Sequence, residues 1–181
     1  MVENLASVVC SISIDHLDWL PKNEKTIEKI IFEKTSTLLE SNIIIAKQRN
    51  KKIMDCIKHN ILDNKSKKIF FGEDFNYSIN ENNFFFYEDK FGGMKLPMPN
   101  ILGHYQLENI STAIASLRKL DLDIKIEHIK KGIKKINNIA RLQEIKNGKL
   151  KNLVKKNKFL ISGDHNEDGA RVLNEYLETL D

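Results

Sequence analysis

SVVCSISIDHLDWLPKNEKTIEKIIFEKTSTL, Ser7 to Leu38, is the stretch from which the rest of the chain can be placed. Val8 to Ile14 is rich in β-branched residues and bounded by charge, which predicts a short buried strand. The strand ends on an acid and an imidazole, Asp15 and His16. In open α/β sheets ligands collect outside the carboxyl ends of the strands, so polar residues just past a buried strand mark a candidate site. The helix that follows carries Ile27, Ile30, Ile31 and Leu38 on one apolar stripe, with Lys34 in its middle. That spacing turns Lys34 inward.

A buried ammonium has three outcomes: its charge snorkels to an edge, pairs with an acid, or is lost with its proton. Snorkelling or pairing is the commoner. The third leaves a neutral amine that reacts with carbon dioxide to give a carbamate, whose two oxygens suit a hard cation such as magnesium. His16 has the same two-sided reading, since a single histidine after a strand is more often a hydrogen-bonded structural residue than a ligand.

The 181 residues are enough for one domain or parts of two. Apolar residues make up 41% and charged residues 30%, an ordinary globular balance. The net charge of +4 is spread over scattered lysines, and with only four arginines nothing points to a nucleic-acid surface. Cys10 and Cys56 lie far apart without metal-ligand spacing, so neither zinc nor a disulfide framework is indicated. Glu3 sits where a signal peptide would be basic, and no stretch is long enough to span a membrane. These features fit a soluble protein of the reducing cytoplasm. The first strand reads as central to its sheet, yet only a few residues precede it.

Further along, Asn42 to Ala46 predicts a second buried strand, Lys51 to Leu62 a helix, and Lys68 to Phe71 a third strand. Strand and helix in alternation imply a parallel sheet with crossover helices. Between Phe70 and Pro97 the pattern changes to short strands joined by polar turns, an antiparallel insertion. Phe84 to Tyr87 resemble a base-stacking platform but read better as alternating core and edge residues of a hairpin. Leu107, Ile110, Ala113, Ile114, Leu117 and Leu120 set out an amphipathic helix, opened by Gly103, Gln106 and Asn109. Amides beside a glycine there can cap the helix or face a ligand. Ile126 to Ile136 gives another helix, where close packing would explain Gly132. Asn137 to Gln143 reads as a linker carrying Arg141. Phe159 to Ile161 is a strand, Ser162 to Gly169 a turn, and Ala170 to Leu180 a helix, the opening unit of a nucleotide-binding α/β domain.

Taken in order, IDHLDWL (14–20), TIEKIIFEK (26–34), GEDFNY (72–77), GHYQLEN (103–109), ARLQ (140–143) and GDHNEDGA (163–170) resemble the folylpolyglutamate synthase and dihydrofolate synthase family of Mur-type ATP-dependent amide ligases. The resemblance implies an α/β fold: residues 1–139 as the second half of a P-loop-type ATPase domain, mainly parallel with a small antiparallel insertion, and 140–181 as linker and start of a Rossmann-like C-terminal domain. It implies that ATP phosphorylates a folate or dihydropteroate carboxylate, and that the amine of L-glutamate attacks the acyl phosphate. Cations around the transferring phosphoryl group would supply the charge neutralisation.

The resemblance also gives roles to residues. His16 matches the magnesium-binding histidine and Lys34 the carbamylated lysine. Asn109 matches the asparagine that contacts the base, Arg141 the arginine that reaches the phosphates, and His165 and Asn166 the nucleotide loop of the C-terminal domain. Several positions depart from the pattern. Tyr105 replaces a histidine, Ile139 and Ala140 replace Pro-Gly, and the loop PKNEK is longer. Ser162 stands where the family has a nucleotide-contacting aspartate, with Asp164 its one candidate replacement.

No GxxxxGK[ST] occurs in the 181 residues. The expectation is therefore an internal segment of a cytoplasmic, monomeric ligase, inactive alone, binding neither nucleic acid nor membrane. The alternatives are another Mur-type amide ligase, or a non-catalytic remnant serving as a binding module. A severed parallel sheet would expose an edge strand and apolar surface, predicting self-association.

Overall fold

The computed structural model describes residues 4–15, 17–80, 84–120 and 122–180. Its centre is a three-stranded parallel sheet in the order β1 (Ala6–Val9), β2 (Asn42–Ile45), β3 (Lys68–Phe70). The crossovers are α1 (Ile27–Thr35) and α2 (Lys51–Asn60). Each helix starts on a side-chain cap: Thr26 accepts from the Lys29 amide at 3.2 Å, and Asn50 from the Ile53 amide at 3.0 Å. Side chains alternate across a strand, so Ile43 and Ile45 pack with Val9, Ile30, Ile31, Ile53 and Ile57 under the two helices, while Ile44 faces the other layer.

β1 is shorter and earlier than the run Val8 to Ile14 predicts, and it stands at an edge of this sheet, not its centre. The parallel register runs out where Val9 meets Ile45. Beyond it, a side chain replaces the strand partner: the Ile12 amide donates to Gln48 Oε1 at 3.0 Å.

The second layer is an antiparallel sheet of β4 (Phe75–Ile79), β5 (Phe85–Asp89) and β6 (Gly92–Leu96), with α3 (Tyr105–Leu117) and α4 (Ile126–Lys135). Phe85 and Tyr87 are fully buried while Phe84 and Phe86 are partly exposed, the alternation expected of a hairpin. Arg118 locks α3 to this sheet by a forked pair to Asp89, 2.8 Å from Nε and 3.0 Å from Nη2. Two packing expectations fail. Ala113 is exposed and Ala115 buried, so the stripe of α3 turns one step further round than its aliphatic spacing suggests. Gly132 is exposed, and a Cβ there would meet nothing within 4 Å, so close packing does not explain it.

The remaining chain is a small unit of β7 (Gln143–Glu144), α5 (Lys149–Val154), β8 (Leu160–Ile161) and α6 (Glu167–Leu177). β8 pairs antiparallel with β7. α5 falls in a stretch that reads as a lysine-rich loop. α6 begins three residues earlier than expected because Asn166 caps it, accepting from the Gly169 amide at 2.8 Å. Among the described residues no helix is long and apolar enough to cross a membrane.

Candidate functional site

Gln48 builds the loop that leaves β1. It is buried, and besides accepting from Ile12 it donates to the carbonyls of Ala46 at 2.9 Å and Cys10 at 3.3 Å. One amide side chain thus ties the end of β2 to the backbone that follows β1 and turns it over the carboxyl end of the sheet. That loop presents Ser11, Ser13 and Asp15 to a cavity of about 750 Å³, whose far wall includes Ile30, Glu33 and Lys34 of α1. Trp19, 86% exposed, stands at its rim.

Lys34 is exposed, contrary to the inward orientation that its stripe predicts. α1 ends at Thr35, and Thr35 takes the buried position of the last turn, its hydroxyl donating to the Ile31 carbonyl at 2.8 Å. Lys34, one step round the helix, opens onto the cavity instead. His16 lies outside the described residues.

The C-terminal unit closes on the same loop. Asn166 Nδ2 donates to Asp15 Oδ2 at 2.9 Å, and His165 Nε2 lies 3.5 Å from the same oxygen. His165 Nδ1 is 2.9 Å from the Gly163 carbonyl, which fixes the ring against its own loop. Asp15 therefore meets Asn166 directly, although 151 positions separate them, and shares its cavity with Lys34.

A second cluster forms where the linker passes α3. Ala140 and Leu142 have φ of 56° and 53°, in the left-handed region that β-carbons disfavour. The turn is held by its neighbours: the Gly163 amide donates to the Ala140 carbonyl at 2.7 Å, the Ala140 amide to Gln143 Oε1 at 3.0 Å, and Leu142 is buried. Arg141, between them, is exposed and lines a cavity of about 290 Å³ with Asn138, Gln143 and Lys146. Buried Gln106 accepts from Asn138 Nδ2 at 3.1 Å and donates to the Tyr105 hydroxyl at 3.0 Å. Burial pushes the Tyr105 phenol up, the Asp164 charge adds to the effect, and the Gln106 hydrogen bond and Arg141 charge oppose it. Tyr105 is thus within electrostatic reach of both Asp164 and Arg141. Ser162 donates its hydroxyl to Asp164. Asn109 is exposed one turn along α3 and makes no side-chain hydrogen bond among the described residues.

Gln48 is a site-forming residue that the sequence did not mark, whereas Tyr105 stood out only as the replacement of a histidine. Gln48 had a signal, since it lies just past a buried strand as Asp15 does. Among the described residues there is no group of three or more His, Cys, Asp or Glu that could hold a metal. An ammonium offers no oxygen to magnesium, so Lys34 fits that ion only as the carbamate.

The fold and the gathered loops define an α/β protein in which a small second unit closes on the carboxyl ends of parallel strands. Solved structures with this fold include folylpolyglutamate synthases and FolC. E. coli FolC in complex with DHPP and ADP superposes with a TM-score of 0.79 at 23% identity, covering 97% of this chain and 38% of that one. An FPGS–AMPPCP–folate complex gives 0.78 at 21%, covering 98% and 42%. The folylpolyglutamate synthase of Thermotoga maritima gives 0.75 at 20%, covering 98% and 39%. The chain therefore spans about two-fifths of the length of the structures it matches. No family model and no curated protein matches the sequence. The likeness agrees with the fold implied by the ordered motifs.

Proposed function

We propose that this chain is part of an ATP-dependent ligase that joins L-glutamate to a dihydropteroate or folate carboxylate through an acyl phosphate. The observation that carries the reading is the closure of the His165–Asn166 loop on Asp15, a residue that also lines a cavity with Lys34. It brings residues from both ends of the chain to where α/β sheets bind ligands. Residues 1–139 and 140–181 are then the two contributing units, with the nucleotide held between them. Structural neighbours bound to ADP, AMPPCP or folate support that ligand class. In this reading Arg141 meets the phosphates, Asn109 the base, and the 162–166 loop contributes further nucleotide contacts. His16 and carbamylated Lys34 hold magnesium, which neutralises phosphate charge when bound.

The phosphate loop that such chemistry needs is to be sought in coding sequence flanking this segment. If an in-frame GxxxxGK[ST] lies upstream, the whole protein should incorporate labelled glutamate into dihydropteroate or folate with release of ADP. Lys34→Ala should then lose at least about a hundredfold in rate, the scale of removing one electrostatic stabiliser of the transition state. Labelled bicarbonate should give a carbamate signal that Lys34→Arg abolishes. Glutamate incorporation unaffected by Lys34→Ala would sink the assignment of that residue. No folate-dependent turnover in the whole protein would sink the ligase reading. One feature favours a second reading, a non-catalytic remnant: Ser162 replaces an acid, and its hydroxyl occupies Asp164. Stop codons on both sides of the segment would establish that reading.

A further inference from the structure

Arg141 sits in the linker between two residues whose backbone is left-handed, Ala140 at φ 56° and Leu142 at φ 53°. A β-carbon disfavours that conformation, so it persists only where contacts from outside the linker hold it. On the α3 side, Gln106 accepts from Asn138 Nδ2 at 3.1 Å. Leu142 is 2% exposed and packs so near Gly103 that a β-carbon there would stand 3.3 Å from Leu142 Cδ2. From the C-terminal unit, the Gly163 amide donates to the Ala140 carbonyl at 2.7 Å. The approach is close: a β-carbon on Gly163 would lie 3.2 Å from that same oxygen.

Gly163 is tied equally to the loop that follows β1. Its carbonyl lies 2.9 Å from His165 Nδ1, and Nε2 of that ring lies 3.5 Å from Asp15 Oδ2. Asn166 Nδ2 donates to the same oxygen at 2.9 Å. The amide of Gly163 therefore faces the neighbour of Arg141, while its carbonyl faces the ring that meets Asp15. One residue joins the two clusters, and three positions of a single loop carry the connection from Ala140 to Asp15.

We propose that Gly163 is a positioning residue that couples the placement of Arg141 to the docking of the His165–Asn166 loop on Asp15. With the loop docked, Gly163 holds Ala140 left-handed, and Arg141 lines the cavity it shares with Asn138 and Gln143. With the loop away from Asp15, Ala140 loses that partner. Its backbone then returns to the conformations that β-carbons favour, and Arg141 moves with it. The cation is thus presented only in the docked state. That it then meets nucleotide phosphate rests on the ligase reading, whereas the coupling itself does not.

Hydrogen exchange read amide by amide by NMR on the 181-residue chain tests the coupling without any turnover, so its failure and that of the ligase reading are separate results. Asp15→Ala should speed exchange at Gly163 and Ala140 at least about tenfold, the scale of one lost hydrogen bond to a charged group. The Gly169 amide, which donates to Asn166 Oδ1, should keep its protection because α6 remains capped. Adding Ala140→Gly, which removes the β-carbon from the left-handed position, should slow Gly163 again by about fivefold. A merely structural contact would show no such rescue. Unchanged exchange at Gly163 in Asp15→Ala overturns the coupling, as does an equal rise at Gly169, which would mean that the whole C-terminal unit loosens. If Asp15→Ala does not fold, Ala140→Gly in the parent chain carries the test: exchange at Gly163 should slow by about fivefold, and exchange that is unchanged or faster overturns the proposal.

Discussion

Asn166 does two jobs with one side chain: its oxygen caps α6 and its nitrogen reaches Asp15. Asn166→Ala removes both and should lower the unfolding free energy by about 1–2 kcal/mol in urea melts, the range for a lost cap plus one hydrogen bond. Asn166→Asp keeps a capping oxygen but sets a carboxylate against Asp15. Its loss should therefore shrink when Asp15→Asn is added, which a double-mutant cycle reads directly. A larger cost is expected at Arg118. The Asp89 side chain is only 2% exposed, so Arg118→Ala strands a buried carboxylate and should cost about 3–5 kcal/mol, against under 1 for an exposed pair such as Lys130–Glu127. Equal effects of the two truncations would show that the forked pair contributes nothing beyond an exposed ion pair.

At the scale of elements, the antiparallel sheet makes a prediction through its tyrosines. Burial pushes the Tyr77 phenol up to about 12, with the Glu108 charge adding, and holds Tyr87 still higher with Asp89 behind it. A raised folded-state pKa stabilises the fold fully below the unfolded value, and that stability is lost as pH rises through the folded value. The fold should therefore weaken from about pH 10 upward. Tyrosinate absorbance should lag behind that of free tyrosine and then rise together with loss of the circular dichroism signal. Full ionisation before any unfolding would contradict the burial of Tyr87. The hairpin that buries it is legible from sequence, because alternation in Phe84 to Tyr87 is a local signal. So are β2 and α2, whose apolar periods are unbroken. The orientation of Lys34 is not, because it depends on where α1 stops, and Thr35 settles that through its own hydrogen bond. Nor is the left-handed pair Ala140 and Leu142, which is held by Gly163 from another segment. The contact of Asp15 with Asn166 has no local sequence signal at all. Only the order of the motifs points to it.

For the whole molecule, surface is the informative quantity. A compact monomer of this mass, 21.0 kDa, would expose about 9000 Å². The chain exposes 12263 Å². Part of the excess lies along β1, the edge strand of its sheet among the described residues, with Val8 44% exposed. The apolar groove between α3 and α4 adds more, lined by Ala113, Leu117, Ile124 and Ile136. Open strand edges and apolar grooves both recruit other chains. The 181-residue chain alone should therefore show a mass that rises with concentration in sedimentation equilibrium. Val8→Lys, which places a charge on the open edge, should shift that equilibrium toward monomer while leaving the melting transition nearly unchanged, because Val8 contributes little to the core. If Val8→Lys leaves the association constant untouched, pairing runs through the α3–α4 groove, and Leu117→Lys should dissociate it instead. A single species of monomer mass at every concentration would mean that neither surface recruits a second copy, and that the excess area is tolerated in water.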